Sequence, residues 1–139
     1  MTRPAIRFAV AACTAASGYL HTDLYLHGYR SIPLVGPAFL LQGAGSFAIA
    51  LLLLAGAPLV VRLGAAGLAL GALAGFALSR TAGIGSFVEH GFQPAPQALI
   101  SVLVEVATLV LLVAPVVMAS TGLARRNRSV SSESGTRLQ

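Results

Sequence analysis

Four long apolar stretches constrain this chain more than any motif, because together they occupy most of its 139 residues. They cover residues 8–26, 32–55, 63–78 and 98–118. A helix needs about 20 apolar residues to cross a hydrocarbon layer of about 30 Å. The stretches reach or approach that length, so the sequence predicts membrane-spanning helices at about residues 6–26, 32–55, 62–80 and 96–118.

The composition supports the same fold class. Hydrophobic residues make up 56% of the chain and charged residues 9%, against roughly 25% charged residues in soluble domains. Backbone polar groups inside a bilayer must bond to one another, which leaves helices or closed barrels. Continuous apolar runs exclude the alternating pattern of a barrel strand. We therefore predict an all-α, polytopic membrane four-helix bundle over residues 1–122, followed by a disordered Arg/Ser-rich tail over 123–139.

The arginines predict the orientation of the helices. With four spans both termini lie on one side, and that side carries most of the nine basic residues, including Arg3, Arg7, Arg62 and the tail arginines. The opposite side carries only Arg30 and Arg80. Because short arginine-rich loops stay cytoplasmic, we predict a multi-pass protein of the plasma (cytoplasmic) membrane with both termini in the cytoplasm. The basic residues flank membrane segments, so no nucleic-acid partner is expected.

Small residues form a stripe on the third predicted helix. Gly67, Gly71, Gly75 and Ser79 recur at intervals of four. Such a stripe lets a neighbouring helix approach closely in a membrane. We favour a neighbour from the same chain, with a homo-oligomer or another membrane protein as the alternative partner beside the lipid bilayer itself.

The loops on the non-cytoplasmic side collect the three histidines. His21, His27 and His90 lie there with Asp23 and Glu89. Imidazole and carboxylate groups suit zinc, copper or iron. Helical spacing brings Asp23 and His27 onto one face, where His90 could join them more easily than His21. No diagnostic metal motif accompanies these residues, so a metal or haem cofactor is one hypothesis among several.

Glu105 is the one acidic residue well inside a predicted span. If the fourth helix begins at Pro96, Glu105 lies roughly 13 Å below its end. Ionisable residues in membrane helices are candidates for function by default. Glu105 could bind a proton, a cation or a ligand beneath Arg30 and Arg80, or it could hydrogen-bond Gln42 and hold two helices together. Tyr29 and Glu89 complete the candidate ligand- or partner-binding residues.

Three segments of the sequence resemble a known group of proteins. They are HGYRSIPLVGPAFLLQ, LGALAGFALSRTAGIGSF and EHGFQPAPQALISVLVEVATLVLL. They resemble a group of small hypothetical integral membrane proteins of high-GC Gram-positive bacteria, over about residues 19–118. DoxX-like proteins share only the size and the architecture. The resemblance implies the four-helix topology and no activity; its matching positions are Gly28, Tyr29, Arg30, Ile32, Pro33, Phe39, Gln42, Glu89 and Glu105.

Three functions remain open from the sequence. We favour a non-enzymatic accessory or ligand/partner-binding subunit with an outward-facing polar cluster, since no nucleophile–base pair or phosphate loop is present. The first alternative is a metal- or haem-binding redox protein that uses the outer histidines. The second is a small transporter or channel subunit coupled through Glu105.

Overall fold

The computed structural model describes residues 3–56 and 58–136, and the regular secondary structure there is helical, apart from one isolated bridge between Ile84 and Phe87. This confirms the all-α prediction. A 3₁₀ turn follows the first helix, and a longer segment, residues 81–96, precedes the last one. The helices are α1 (Arg3–Leu26), α2 (Val35–Ala55), α3 (Leu59–Arg80) and α4 (Gln97–Thr136), and the 3₁₀ turn is Tyr29–Ser31.

Three of these helices are long and apolar enough to cross a membrane. They are α2, α3 and the Gln97–Pro115 part of α4, with mean hydropathies of 2.0, 1.8 and 2.4. They indicate a membrane protein, as predicted. The remaining helix, α1, is more polar. Its polar residues include Thr14, Ser17 and His21, which are buried. That α1 also spans the membrane stays a prediction.

The helix bounds differ most from the prediction at the C-terminal end. The Gly/Pro break acts as expected, since α2 ends at Ala55 and α3 begins at Leu59. By contrast, α4 continues in helical form from Gln97 to Thr136, past the predicted end at residue 118. Pro115 lies within it, and no proline follows to stop it. Disorder of the 123–139 tail stays a prediction, and residues 137–139 lie outside the described residues.

Each helix packs on two others. α1 contacts α2 and α4, and α3 contacts the same two helices. A close approach joins α1 to α2 at Gly18, where an added Cβ atom would lie 3.1 Å from the Cβ atom of Ser46 and 3.2 Å from the carbonyl oxygen of Gly43. Small residues permit this proximity, which brings many backbone and side-chain atoms into van der Waals contact.

The helices present apolar side chains both inward and outward. A small buried cluster joins α1, α2 and α3 near the end opposite the 81–96 segment: Val10, Ala11, Leu53, Val61 and Ala65. Outward-facing residues such as Leu41, Leu51 and Val60 are 72%, 68% and 73% exposed. Exposed apolar side chains of this size fit contact with lipid, which solvates them as well as a protein core does.

Candidate functional site

Arg80, the last residue of α3, holds the 81–96 segment across one end of the helices. All five guanidinium N–H groups of an arginine can donate, and here each nitrogen is engaged. The ring of Phe76 also stacks against the guanidinium carbon at 3.7 Å. Nε donates to the Gly91 carbonyl (2.7 Å), Nη1 to the Phe76 carbonyl (3.3 Å) and the Ser79 hydroxyl (2.7 Å), and Nη2 to the Gln93 carbonyl (2.5 Å) and Glu89 (3.0 Å).

Tyr29 extends this arrangement to the other loop. Its hydroxyl donates to the Glu89 carboxylate, whose other oxygen pairs with Arg80. Its ring stacks on Phe39 at 4.9 Å and meets the edge of Phe87 at 5.8 Å. Burial, followed by the hydrogen bond to Glu89, raises the pKa of Tyr29 well above its ordinary value. Three predicted site residues are thus brought together, and we refer to them as the Tyr29–Glu89–Arg80 cluster.

A cavity of about 400 Å³ lies against this cluster, between α2 and α3. Its walls are mostly apolar. One of them, the glycine wall, is formed by Gly67, Gly71 and Gly75 of α3. The described polar side chains in its lining are few, and they come from all four helices, the 3₁₀ turn and the 81–96 segment. The lining residues used below are His21, Tyr29, Leu34, Phe39, Leu41, Gln42, Gly67, Gly71, Gly75, Arg80, Glu89 and Ser101.

The three glycines of the stripe border this cavity and do not pack against another helix among the described residues, whereas Ser79 of the stripe is buried. A Cβ atom added at Gly67, Gly71 or Gly75 would meet no described atom within 4 Å. The preference for close packing within the chain was therefore wrong. Close helix packing within the chain occurs instead at Gly18 and Gly43. The small residue Ser46, near them on α2, is the sequence feature that could have indicated it.

The cavity reaches the outer surface of the helices beside α2. Leu34 and Leu41 line it and are 66% and 72% exposed. Towards the middle of the protein, Gln42 donates its side-chain N–H to the Leu68 carbonyl of α3 at 3.2 Å. This hydrogen bond joins α2 to α3 at the inner end of the cavity. The space against the glycine wall stays open.

His21 is a buried polar side chain of the cavity wall, with 7% of its surface exposed. Its ring packs on Phe39 at 5.2 Å. Its Nδ1–H donates to the Ser17 carbonyl oxygen at 2.9 Å, because a carbonyl can only accept. Its Nε2 has no hydrogen-bond partner among the described residues.

Glu105 lies elsewhere, in the contact between α1 and α4. It is 2% exposed and accepts a hydrogen bond from the hydroxyl of Ser17. The expected bond to Gln42 is not formed in the described structure, nor is an ion pair with Arg30 or Arg80. Ser17 was missed because a serine in an apolar helix gives no sign of its partner 88 positions away.

The predicted metal ligands stay largely apart. Asp23 and His27 lie one helical turn from each other, with 3.1 Å between Oδ1 and Nδ1. His90 is exposed, as is Arg30, whereas His21 faces the cavity. Within residues 3–56 and 58–136, no group of three or more His, Cys, Asp and Glu side chains could hold a metal ion. The described geometry thus gives the metal or haem hypothesis no support.

The fold and the site together define a small helical membrane protein with a cavity at one end. No family model, curated protein or solved structure matches the chain. The resemblance to a bacterial membrane-protein group therefore stays a prediction. What the protein does has to be argued from its own residues, and the cavity with its polar cluster is the feature from which that argument starts.

Proposed function

We propose that this protein is a non-enzymatic, multi-pass plasma-membrane protein that binds a small apolar molecule in the cavity between α2 and α3. The four helices would form a membrane bundle with both termini in the cytoplasm. The cavity and the Tyr29–Glu89–Arg80 cluster would then lie on the outer side. The observation that carries the proposal is the open glycine wall, which leaves space where a membrane helix would ordinarily pack.

The dimensions of the cavity suit a small ligand. Binding pockets for small molecules are typically about 300–1,000 Å³, mostly apolar, with a few polar groups that orient the ligand. This cavity has about 400 Å³ and an apolar lining interrupted by His21, Gln42 and Ser101. Its exposed rim at Leu34 and Leu41 would allow a molecule to enter from the lipid without crossing water.

The Tyr29–Glu89–Arg80 cluster would act as a fixed cover and not as the binding group. Arg80 donates hydrogen bonds to the backbone of the 81–96 segment and pairs with Glu89. Glu89 is in turn bonded by Tyr29, and its own N–H donates to the Ser79 carbonyl at 2.9 Å. This interlocked arrangement keeps the end of the cavity in shape while its side stays open.

Photolabelling tests the proposal directly. A 12-carbon hydrocarbon that carries a diazirine is added to the protein in lipid nanodiscs, irradiated, and the labelled residues are identified by mass spectrometry. We expect labels concentrated at residues 38–42 and 67–76. Gly71→Leu should remove at least four fifths of them because its side chain fills the cavity. Ala74→Leu is the matched control, since Ala74 is exposed on α3 and absent from the cavity lining.

Two results would contradict the proposal. One is a label spread evenly over the exposed leucines of α2 and α3, which would mean that the cavity has no preference over bulk lipid. The other is efficient disulfide formation between two copies of Gly71→Cys, which would make the stripe a helix–helix interface. The second result would favour the homo-oligomer that the glycine spacing also predicts.

A further inference from the structure

We propose that the occupant of the cavity is a neutral, single-chain lipid whose head group carries a hydroxyl, and that this hydroxyl donates a hydrogen bond to Nε2 of His21. The inference rests on the proposed function and specifies the ligand of the same site. Three properties of the cavity wall support it: the charge it offers, the hydrogen-bonding groups it leaves free, and its volume.

The cavity offers no free charge to a ligand. Arg80 is the cation in the described lining, and its three nitrogens already serve three carbonyls, a hydroxyl and Glu89. Glu89 is neutralised by that pairing. An anionic head group such as a carboxylate or a phosphate would have to be buried without a cation to pair with it, which is costly. A neutral head group avoids that cost.

Among the free hydrogen-bonding groups of the cavity wall, Nε2 of His21 is one that can only accept. Since Nδ1 of His21 carries the ring proton that it donates to Ser17, Nε2 of the neutral ring is an acceptor. Gln42 uses one of its two amide N–H groups on the Leu68 carbonyl, which leaves its second N–H and its Oε1, and the hydroxyl of Ser101 can donate or accept. A hydroxyl is a neutral lipid group that can donate to Nε2 of His21 and accept from Gln42 or Ser101. A ligand hydroxyl at His21 would keep Nε2 paired when the ligand covers it, which avoids the cost of an unpaired acceptor.

The volume suits a single chain. A cavity of about 400 Å³ lies near the lower end of the range of about 300–1,000 Å³ that is typical of small-molecule pockets. A two-chain phospholipid could place no more than one of its chains there. Long-chain alcohols and monoacyl glycerols combine a single chain with a neutral hydroxyl head, and they form the ligand class that this cavity fits.

Three 12-carbon diazirine probes that differ only in the head group test this inference in nanodiscs. They are the alcohol, its methyl ether, which cannot donate, and the carboxylic acid. We expect the alcohol to label the cavity residues about fivefold more efficiently than either of the others. His21→Phe keeps the aromatic packing on Phe39 and removes the acceptor, so it should abolish the difference. His27→Phe, at an exposed position outside the cavity, should preserve it.

The outcomes separate this inference from the proposed function. If all three probes label the cavity equally and Gly71→Leu still abolishes that labelling, the hydroxyl assignment is overturned. The cavity would then remain a binding site. Stronger labelling by the acid would overturn it as well. Labelling of the cavity by none of the probes would remove the proposed function itself. The comparison of alcohol and ether uses the unaltered protein, so the test does not depend on whether His21→Phe folds.

Discussion

Arg80→Met should destabilise the protein by about 3–5 kcal/mol, the cost typical of breaking a buried ion pair by removing one partner. The side chains of Arg80 and Glu89 are 13% and 16% exposed, so Glu89 would be left largely desolvated without its cation. The carbonyls of Gly91 and Gln93 would also lose their donor, so the 81–96 segment would be held to α3 by fewer hydrogen bonds. The free energy of unfolding, measured by denaturant titration in mixed micelles, gives the effect.

Arg30→Met provides the control for this substitution. Arg30 lies at the same end of the helices, in the 3₁₀ turn beside Tyr29, but it is exposed and the structure shows its side chain in no ion pair with a described residue. Its replacement should change the free energy of unfolding by no more than about 0.5 kcal/mol. In the Arg80→Met background, Glu89→Gln should recover part of the loss because it removes the unpaired charge. Equal effects of Arg80→Met and Arg30→Met would show that the cluster does not hold the loop.

Leucine at Gly18 and leucine at Gly71 should have opposite consequences. Gly18→Leu forces α1 away from α2, where a first added carbon would already lie 3.1 Å from Ser46. We expect a loss of about 3 kcal/mol, at the upper end of the usual cost of overpacking. Gly71→Leu meets open space, and leucine favours a helix over glycine by up to about 1 kcal/mol. Its free energy of unfolding should stay the same or rise.

Thermal unfolding of the two variants side by side in one detergent checks this contrast. Gly18→Ala serves as the intermediate case, because it adds a single carbon where neighbouring atoms must shift by only a few tenths of an ångström. A graded loss from alanine to leucine at position 18 is expected. Comparable losses at positions 18 and 71 would mean that the glycine wall is packed against something, and the cavity would then not exist.

The spans were predictable because their signal is local. Length, hydropathy and the Gly/Pro break at 55–58 identify α2, α3 and the first part of α4 without knowledge of their neighbours. The continuation of α4 to Thr136 was not predictable in the same way. A polar, arginine-rich segment is compatible with a helix and with a disordered tail, and composition does not distinguish them.

The site was predictable as a set of residues but not as an arrangement. Tyr29, Glu89 and Arg80 were selected for their place in the loops, yet their mutual bonding depends on how the 81–96 segment folds back over α3. The glycine stripe shows the limit most clearly. Its spacing defines a face of α3 but not what lies against that face, since a helix, a lipid and a cavity all tolerate small residues.

Glu105 and Gln42 illustrate the same limit for hydrogen bonds. A hydrogen bond between them was one of the two hypotheses for Glu105, but Glu105 bonds Ser17 of α1 and Gln42 bonds the Leu68 carbonyl of α3. Depth follows from counting along a helix, whereas the direction of a side chain follows from the rotation of that helix about its axis. The apolar residues of α2 surround it nearly uniformly, so they do not fix its rotation.

The most direct test of the cavity is native mass spectrometry of the protein released from its own membrane, compared with Gly71→Leu and the control Ala74→Leu. If the cavity binds a membrane component, the unaltered protein and the control carry one additional small apolar molecule per chain, and Gly71→Leu carries none. The same bound mass on all three proteins, or a bare chain in each, would contradict a binding site at the glycine wall.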